Sequence, residues 1–257
     1  MTDIKSLKIT ELKSLVSQLT VEDFPSWIKE LQSDERSAVQ KLGLQLEKKL
    51  TQYHAEIAKS ESMLMYERKA KEQGFMYVAG IDEAGRGPLV SSVVAAAVIL
   101  NPDMDWRGID DSKKLSEDKR NMFYDLIIEH ALAYGIGMAS SQEIDDINIL
   151  NATKLAMKRA IKGMGLKADY LLIDAVKLED IDTPQLNLIK GDAKSASIAA
   201  ASILAKVTRD RMLIELDEIY PQYGFAKHKG YGTDQHYDAI RKYGLIPEHR
   251  KSFLKNI

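Results

Sequence analysis

Apolar positions near the start of the chain recur at helical spacing, with Ile9, Leu12, Leu15 and Val16 marking one face of a first helix. Asp34 is placed to cap a second, rich in Arg, Lys, Gln and Leu, which runs from about Glu35 into SESMLMYERKAKEQ and stops near Gly74. From Met76 the pattern changes. MYVAGI is a short apolar run that ends at Asp82, SVVAAAVIL at 92–100 is a second, and ALAYGIGMAS at 131–140 alternates as a third strand would. A helix containing LAMKRAIKGMG follows, then strands over YLLIDA at 170–175 and LNLIKGDA at 186–193, then the long helix SASIAAASILAKVTRDRMLIELDEIY. Strands come first, then helices and strands alternate, which predicts an α/β fold: a central mixed sheet flanked by helices. The predicted division is a small helical N-terminal extension over 1–74 and an α/β domain over 75–257 that ends in a helical region.

Composition narrows the class. The 257 residues are 45% hydrophobic and 29% charged, ordinary for a globular protein. No apolar run is long enough to span a bilayer, and MTDIKSLKITELK lacks a signal-type stretch, so no membrane role and a cytoplasmic location are expected. The absence of cysteine excludes disulfides, thiolate metal sites and cysteine nucleophiles. The net charge of −2 is unevenly spread, with −4 over residues 76–141 and +4 over 186–257. An acidic middle suits a cation site and a basic last quarter suits phosphates, although random scatter would also give such a split.

Four carboxylates stand in unusual places. Asp82 and Glu83 close the first strand in GIDEAGRGP, Asp174 closes the fourth in LLIDA, and Asp192 follows the fifth in IKGDAKS. An acid directly after a buried strand is either the start of an ordinary turn or a ligand held rigidly at the sheet end. As ligands, hard oxygens with no cysteine select Mg²⁺ or Mn²⁺. Pairs of such ions, about 4 Å apart, promote in-line displacement at phosphorus. Next to the first pair, Gly85, Arg86 and Gly87 form a loop whose glycines let a backbone approach a ligand, or simply turn the chain.

Taken together, GIDEAGRGP, DDSKKLS at 110–116, LLIDA, KGDAKSASIAAASILAKVTRDR at 190–211 and HKGYGT at 228–233 resemble the motifs of ribonuclease HII, in that family's order, over roughly residues 75–257. The N-terminal segment also resembles the helical extension of some bacterial members. The resemblance implies a ribonuclease H-like fold and an endoribonuclease that cuts 5′ to ribonucleotides in RNA–DNA hybrids or embedded in duplex DNA, by two-metal-ion catalysis, leaving a 3′-hydroxyl and a 5′-phosphate. It implies that Asp82, Glu83, Asp174 and Asp192 are catalytic and bind the metal. Gly85, Arg86 and Gly87 would grip a ribose 2′-hydroxyl through the backbone, and Tyr231 would stack on the following sugar. Ser112 and Lys113 match positions near the substrate backbone, while Asp110 and Asp111 read as loop residues. Lys194, Ser195 and Ser197 precede a helix N-terminus, which seats phosphates well, although serines there also serve as ordinary caps. One departure stands out: members usually read GRGPLAGPVV, and this chain has Val90, Ser91 and Ser92 in place of alanine, glycine and proline. A ribonuclease HIII-like nuclease and an inactive hybrid-binding module are the alternatives. Replication or repair proteins are further candidate partners of the N-terminal helices.

Overall fold

The computed structural model describes residues 4–254. The chain falls into two compact units, Met1–Lys59 and Ser60–Ile257.

The first unit is helical. It holds α1 (Ile9–Gln18), α2 (Phe24–Gln32) and most of α3 (Ser37–Met63). Its core gathers Leu12, Phe24, Leu31, Val39, Leu42 and Leu46. Helix α2 follows from Phe24, Trp27, Ile28 and Leu31, which share one face, with Pro25 in the first turn where no N–H is needed. Asp34 stands three residues ahead of α3, accepting the Arg36 N–H at 2.8 Å and pairing with its guanidinium at 2.7 Å. The predicted second helix is broken at Leu64 and resumes as α4 (Met65–Glu72).

The second unit is built on a five-stranded sheet: β1 (Val78–Ala84), β2 (Val93–Ile99), β3 (Ala133–Ala139), β4 (Tyr170–Asp174) and β5 (Gln185–Leu188), in the order β3-β2-β1-β4-β5. The pairs β1–β2 and β2–β3 are antiparallel, and β1–β4 and β4–β5 are parallel. Helices α5 (Glu117–His130), α6 (Ser141–Gly163), α7 (Ala196–Ile219), α8 (Phe225–His228) and α9 (Asp234–Tyr243) complete it. Helix α6 packs on the sheet face carrying Ala79, Ile81, Ala95, Ala97, Leu171 and Ile173. On the opposite face Val94, Ala96 and Val98 meet α5 and α7. Coverage on both faces explains why the central strands read as continuous apolar runs. Helix α7 lies close to the sheet: Ala199, Ala200 and Ala201 are fully buried. A Cβ on Gly80 would fall 2.0 Å from the Ser197 carbonyl carbon, so β1 accepts no side chain there.

The predicted fifth strand ends early. Lys190 adopts a left-handed φ of 57°, and Gly191–Ala193 form a 3₁₀ turn, because the chain must reverse here to enter α7. Asp192 therefore rides on that turn. Among the described residues, no helix is long and apolar enough to cross a membrane.

Candidate active site

Parallel pairing of β1 with β4 places Ile81 opposite Ile173. The next residues, Asp82 and Asp174, consequently leave the sheet at the same end on neighbouring strands. Asp82 is 4% exposed and its Oδ1 accepts the Glu83 N–H at 2.7 Å. Asp174 Oδ1 accepts the Gly191 N–H at 2.7 Å, which ties β4 to the turn carrying Asp192. The acids repel one another. Burial first, then Glu83 and Asp174, push the Asp82 carboxyl well above the usual range. Burial also raises Glu83, with Asp174 adding to it and Arg86 opposing. Asp192 is raised by burial and then by Asp111, against the pull of Lys113. Lys113 Nζ stands 3.7 Å from Asp192 Oδ2. Burial disfavours its charge, but Asp192, Asp111, Asp82 and Asp174 outweigh that and raise it.

Beside these acids lies a cavity of about 400 Å³. Its wall contains Glu83, Gly85, Arg86, Gly87, Ser112, Lys113 and Tyr231, residues from widely separated stretches of sequence. Asp82, Asp174 and Asp192 do not line it. Arg86 Nη1 is 3.4 Å from Glu83 Oε1. The Tyr231 ring is half exposed, and its Cε1 lies 3.5 Å from where a Cβ on Gly87 would stand. Gly85 has a φ of 94°, and a Cβ there would meet Arg209 Nε at 2.1 Å, so glycine is required on both counts.

Three predicted substrate contacts fall elsewhere. Ser195 and Ser197 are fully buried. Their hydroxyls donate to Glu67 Oε1 of α4 at 2.6 and 2.7 Å, and the Ser197 N–H donates to the same oxygen at 2.9 Å. A carboxylate at the positive end of α7 satisfies that helix start from within, leaving neither hydroxyl open to substrate. Lys194 closes the 3₁₀ turn through its N–H to Gly191 O at 2.9 Å and does not line the cavity. Conversely, Asp111, read as a loop residue, reaches Asp192, and Ser202 of α7 bonds Ser112 Oγ at 2.8 Å while favouring ionised Asp82. Neither Ser202 nor Glu67 carried a sequence signal, since each acts on a partner remote in the chain.

Among the described residues, no three His, Cys, Asp or Glu side chains are disposed to hold one cation. Lys113 and Arg86 stand against Asp192 and Glu83, and backbone amides engage Asp82 and Asp174. The donor chemistry nevertheless fits a hard divalent cation. The acids are oxygen donors under mutual repulsion, and Glu83 Oε2 is buried with no hydrogen-bond partner.

The Ribonuclease HII family model matches residues 79–256, and the Ribonuclease HII N-terminal domain model matches 8–71. The chain belongs to the ribonuclease HII family. A ribonuclease HII of Clostridioides difficile is 51% identical over 249 residues, spanning 97% of this chain and 98% of that one. Among solved structures, the ribonuclease H2 of Pyrococcus horikoshii is 26% identical with a TM-score of 0.58, covering 69% of this chain and 93% of that one. The ribonuclease HII of a PCNA complex from Archaeoglobus fulgidus is 26% identical with a TM-score of 0.60, covering 68% and 94%. As a ribonuclease HII, the chain is a ribonuclease H hydrolase, an endonuclease acting on RNA–DNA hybrids.

The departure at residues 90–92 has a visible consequence in this ribonuclease HII. Ser91 sits at a φ of 71°, in the left-handed region that favours glycine. Its N–H donates to Glu248 O at 2.9 Å and its carbonyl accepts from Arg250 Nε at 2.9 Å, so the backbone is held in place despite the side chain. A non-glycine residue there costs about 1–2 kcal/mol, partly offset by the extra freedom glycine brings to the unfolded chain. Ser91→Gly is expected to stabilise the protein by about 0.5–1 kcal/mol, read as a higher melting temperature with cleavage unchanged. A lower melting temperature would show that the serine is not strained.

Proposed function

We propose that this ribonuclease HII hydrolyses the phosphodiester 5′ to a ribonucleotide embedded in duplex DNA or at an RNA–DNA step, leaving a 3′-hydroxyl and a 5′-phosphate. The observation that carries this reading is the cavity in which Glu83, the Gly85–Gly87 backbone and the Tyr231 ring face one space. Asp82, Glu83, Asp174 and Asp192 would hold Mg²⁺ or Mn²⁺, most plainly through the unpartnered Glu83 Oε2. The chemistry such cations supply is neutralisation of phosphate charge and activation of a water for in-line attack.

The chain's own residues account for recognition. At Gly85 and Gly87 no side chain shields the backbone, so its amides reach a 2′-hydroxyl. A deoxyribose there leaves polar groups unpaired, at about 1–3 kcal/mol each. Tyr231 packs against the next sugar, where a ribose would crowd the ring. Lys113 and Arg86, both on the cavity wall, supply positive charge for the phosphates on either side. Ser112 lies on the same wall with its hydroxyl bonded to Ser202 Oγ at 2.8 Å, and supports that wall from within. The assembly of the Archaeoglobus relative with PCNA extends the proposal to replication or repair proteins as partners.

Tyr231→Ala tests the reading. Loss of an aromatic platform worth about 1–3 kcal/mol is expected to slow cutting at a single embedded ribonucleotide by roughly 5–150-fold. The ring is half exposed, so circular dichroism and melting should change little. An unchanged rate on that duplex, with Mg²⁺ or Mn²⁺ supplied, rules out the role given to Tyr231.

A further inference from the structure

Two arginines are buried with backbone carbonyls, and not carboxylates, as their hydrogen-bond partners. Arg250 is 0% and Arg209 2% exposed, and among the described residues neither forms an ion pair. A buried charge is tolerated when its donors are satisfied, and here backbone carbonyls satisfy them. Arg250 donates to Gly85 O at 2.6 Å, Arg86 O at 3.0 Å, Pro88 O at 2.8 Å and Ser91 O at 2.9 Å. Arg209 donates to Lys229 O at 3.0 Å, Val90 O at 3.2 Å and Ser92 O at 3.4 Å. The acceptors are the carbonyls of the glycine loop and of the segment leading to Tyr231.

The consequence follows from peptide geometry. In a trans peptide the C=O and the following N–H point in opposite directions. Turning the Gly85 and Arg86 carbonyls toward the buried guanidinium turns the Arg86 and Gly87 N–H groups away from it. Among the described residues those two N–H groups have no partner within the protein, and both residues line the cavity. The Pro88 carbonyl is held inward too, and the N–H of the same peptide, on Leu89, donates to Gly230 O at 2.8 Å, one residue before Tyr231. Arg209 holds the Lys229 carbonyl on the other side of Gly230. One pair of guanidinium forks thus fixes both the loop amides and the segment that carries the tyrosine.

We propose that Arg250 and Arg209 are positioning residues for substrate discrimination: they present the Arg86 and Gly87 amides to the ribose and set the separation between those amides and Tyr231. The proposal rests on the junction-reading function given above. Neither arginine performs chemistry. An apolar side chain of similar volume would fill the space, but it would not orient the peptide planes, and a lysine would keep the charge but replace a planar fork with a single ammonium.

The test uses the full chain with Arg250→Lys and Arg209→Lys. The quantity read is the ratio of kcat/KM on a duplex with one embedded ribonucleotide to that on a uniform RNA–DNA hybrid, with melting curves alongside. A control, Met157→Ala, removes a fully buried side chain from the α6 face of the sheet, away from the loop. The lysine variants are expected to lose at least 10-fold in this ratio, while the control melts earlier and keeps the wild-type ratio. If Arg250→Lys does not fold, Arg209→Lys gives up three bonds instead of four and is read the same way. A folded lysine variant that retains the wild-type ratio overturns the proposal, as does a control that loses the ratio equally. A wild type with no preference for the single-ribonucleotide duplex overturns the functional reading itself, and this proposal with it.

Discussion

Replacing Asp82 by Asn is expected to lower cleavage by roughly 1,000-fold or more while raising the melting temperature. The first effect follows because several kcal/mol of charge stabilisation at phosphorus depend on anionic cation ligands, and each 1.36 kcal/mol is tenfold in rate. Shape is kept, since the amide oxygen of Asn still accepts the Glu83 N–H that Asp82 Oδ1 accepts at 2.7 Å. The second effect follows from the strain of the acid cluster. The Asp82 carboxyl is pushed well above its ordinary value by burial, Glu83 and Asp174. The native state therefore holds a proton that the unfolded chain releases, and its stability falls as pH rises from the ordinary carboxylate value through the raised one. Asn carries no such penalty. In the absence of divalent cations the variant should melt at a higher temperature than the wild type, and the gain should be larger at pH 8 than at pH 4. Single-turnover rates and calorimetry measure the two effects. A variant that cuts at near wild-type rate, or that melts earlier, refutes this account of the acids.

Deleting residues 1–59 is expected to leave a folded catalytic unit, whereas deleting 1–74 should unfold it or leave it insoluble. The difference lies in three side chains. Met63 is 1% exposed and packs with Val94, Ala96 and the alanines of α7. Ala70 is 3% exposed among Val78, Leu172 and Ile198. Glu67 is 7% exposed and gathers both serine hydroxyls and the Ser197 N–H at the start of α7. Burying a methionine is worth about 1.5–3 kcal/mol, and each polar group left unpaired costs about 1–3 kcal/mol. The longer deletion thus removes on the order of 5 kcal/mol, comparable to the whole stability of a modest domain. In the full chain, Glu67→Leu should by itself cost about 2–3 kcal/mol in a denaturant titration. A 75–257 fragment as stable as 60–257 would show that α4 contributes nothing to the fold.

This contrast bears on what the sequence discloses. The predicted boundary at residue 74 follows composition, because α4 is polar in sequence like the helices before it. Its buried side is Ala70 and a carboxylate, Glu67, whose partners lie 128 and 130 residues away. The strands were legible because β1, β2 and β4 are covered on both faces and must be apolar throughout. Asp82, Glu83 and Asp174 were legible for the same reason, as acids ending such runs. Helix α2 had a readable pattern in Phe24, Trp27, Ile28 and Leu31 but is too short to stand out beside its neighbours. The break at Leu64 has no glycine or proline to mark it. Ser195 and Ser197 carry the signature of a helix start, and that signature does not distinguish a bound phosphate from an internal carboxylate. Arg209 and Arg250 were invisible because their acceptors are backbone carbonyls up to 165 residues distant, which leave no trace in residue type.

Mapping the cut site tests the central claim most directly. A labelled duplex of DNA containing one ribonucleotide is incubated with the wild-type chain and Mg²⁺ or Mn²⁺, and the products are resolved to single-nucleotide length beside an all-DNA duplex. The account predicts one cut immediately 5′ to the ribonucleotide, a 3′-hydroxyl that a polymerase extends, and no cut in the all-DNA control. Cleavage at other positions, or equal cleavage of the all-DNA duplex, would contradict it.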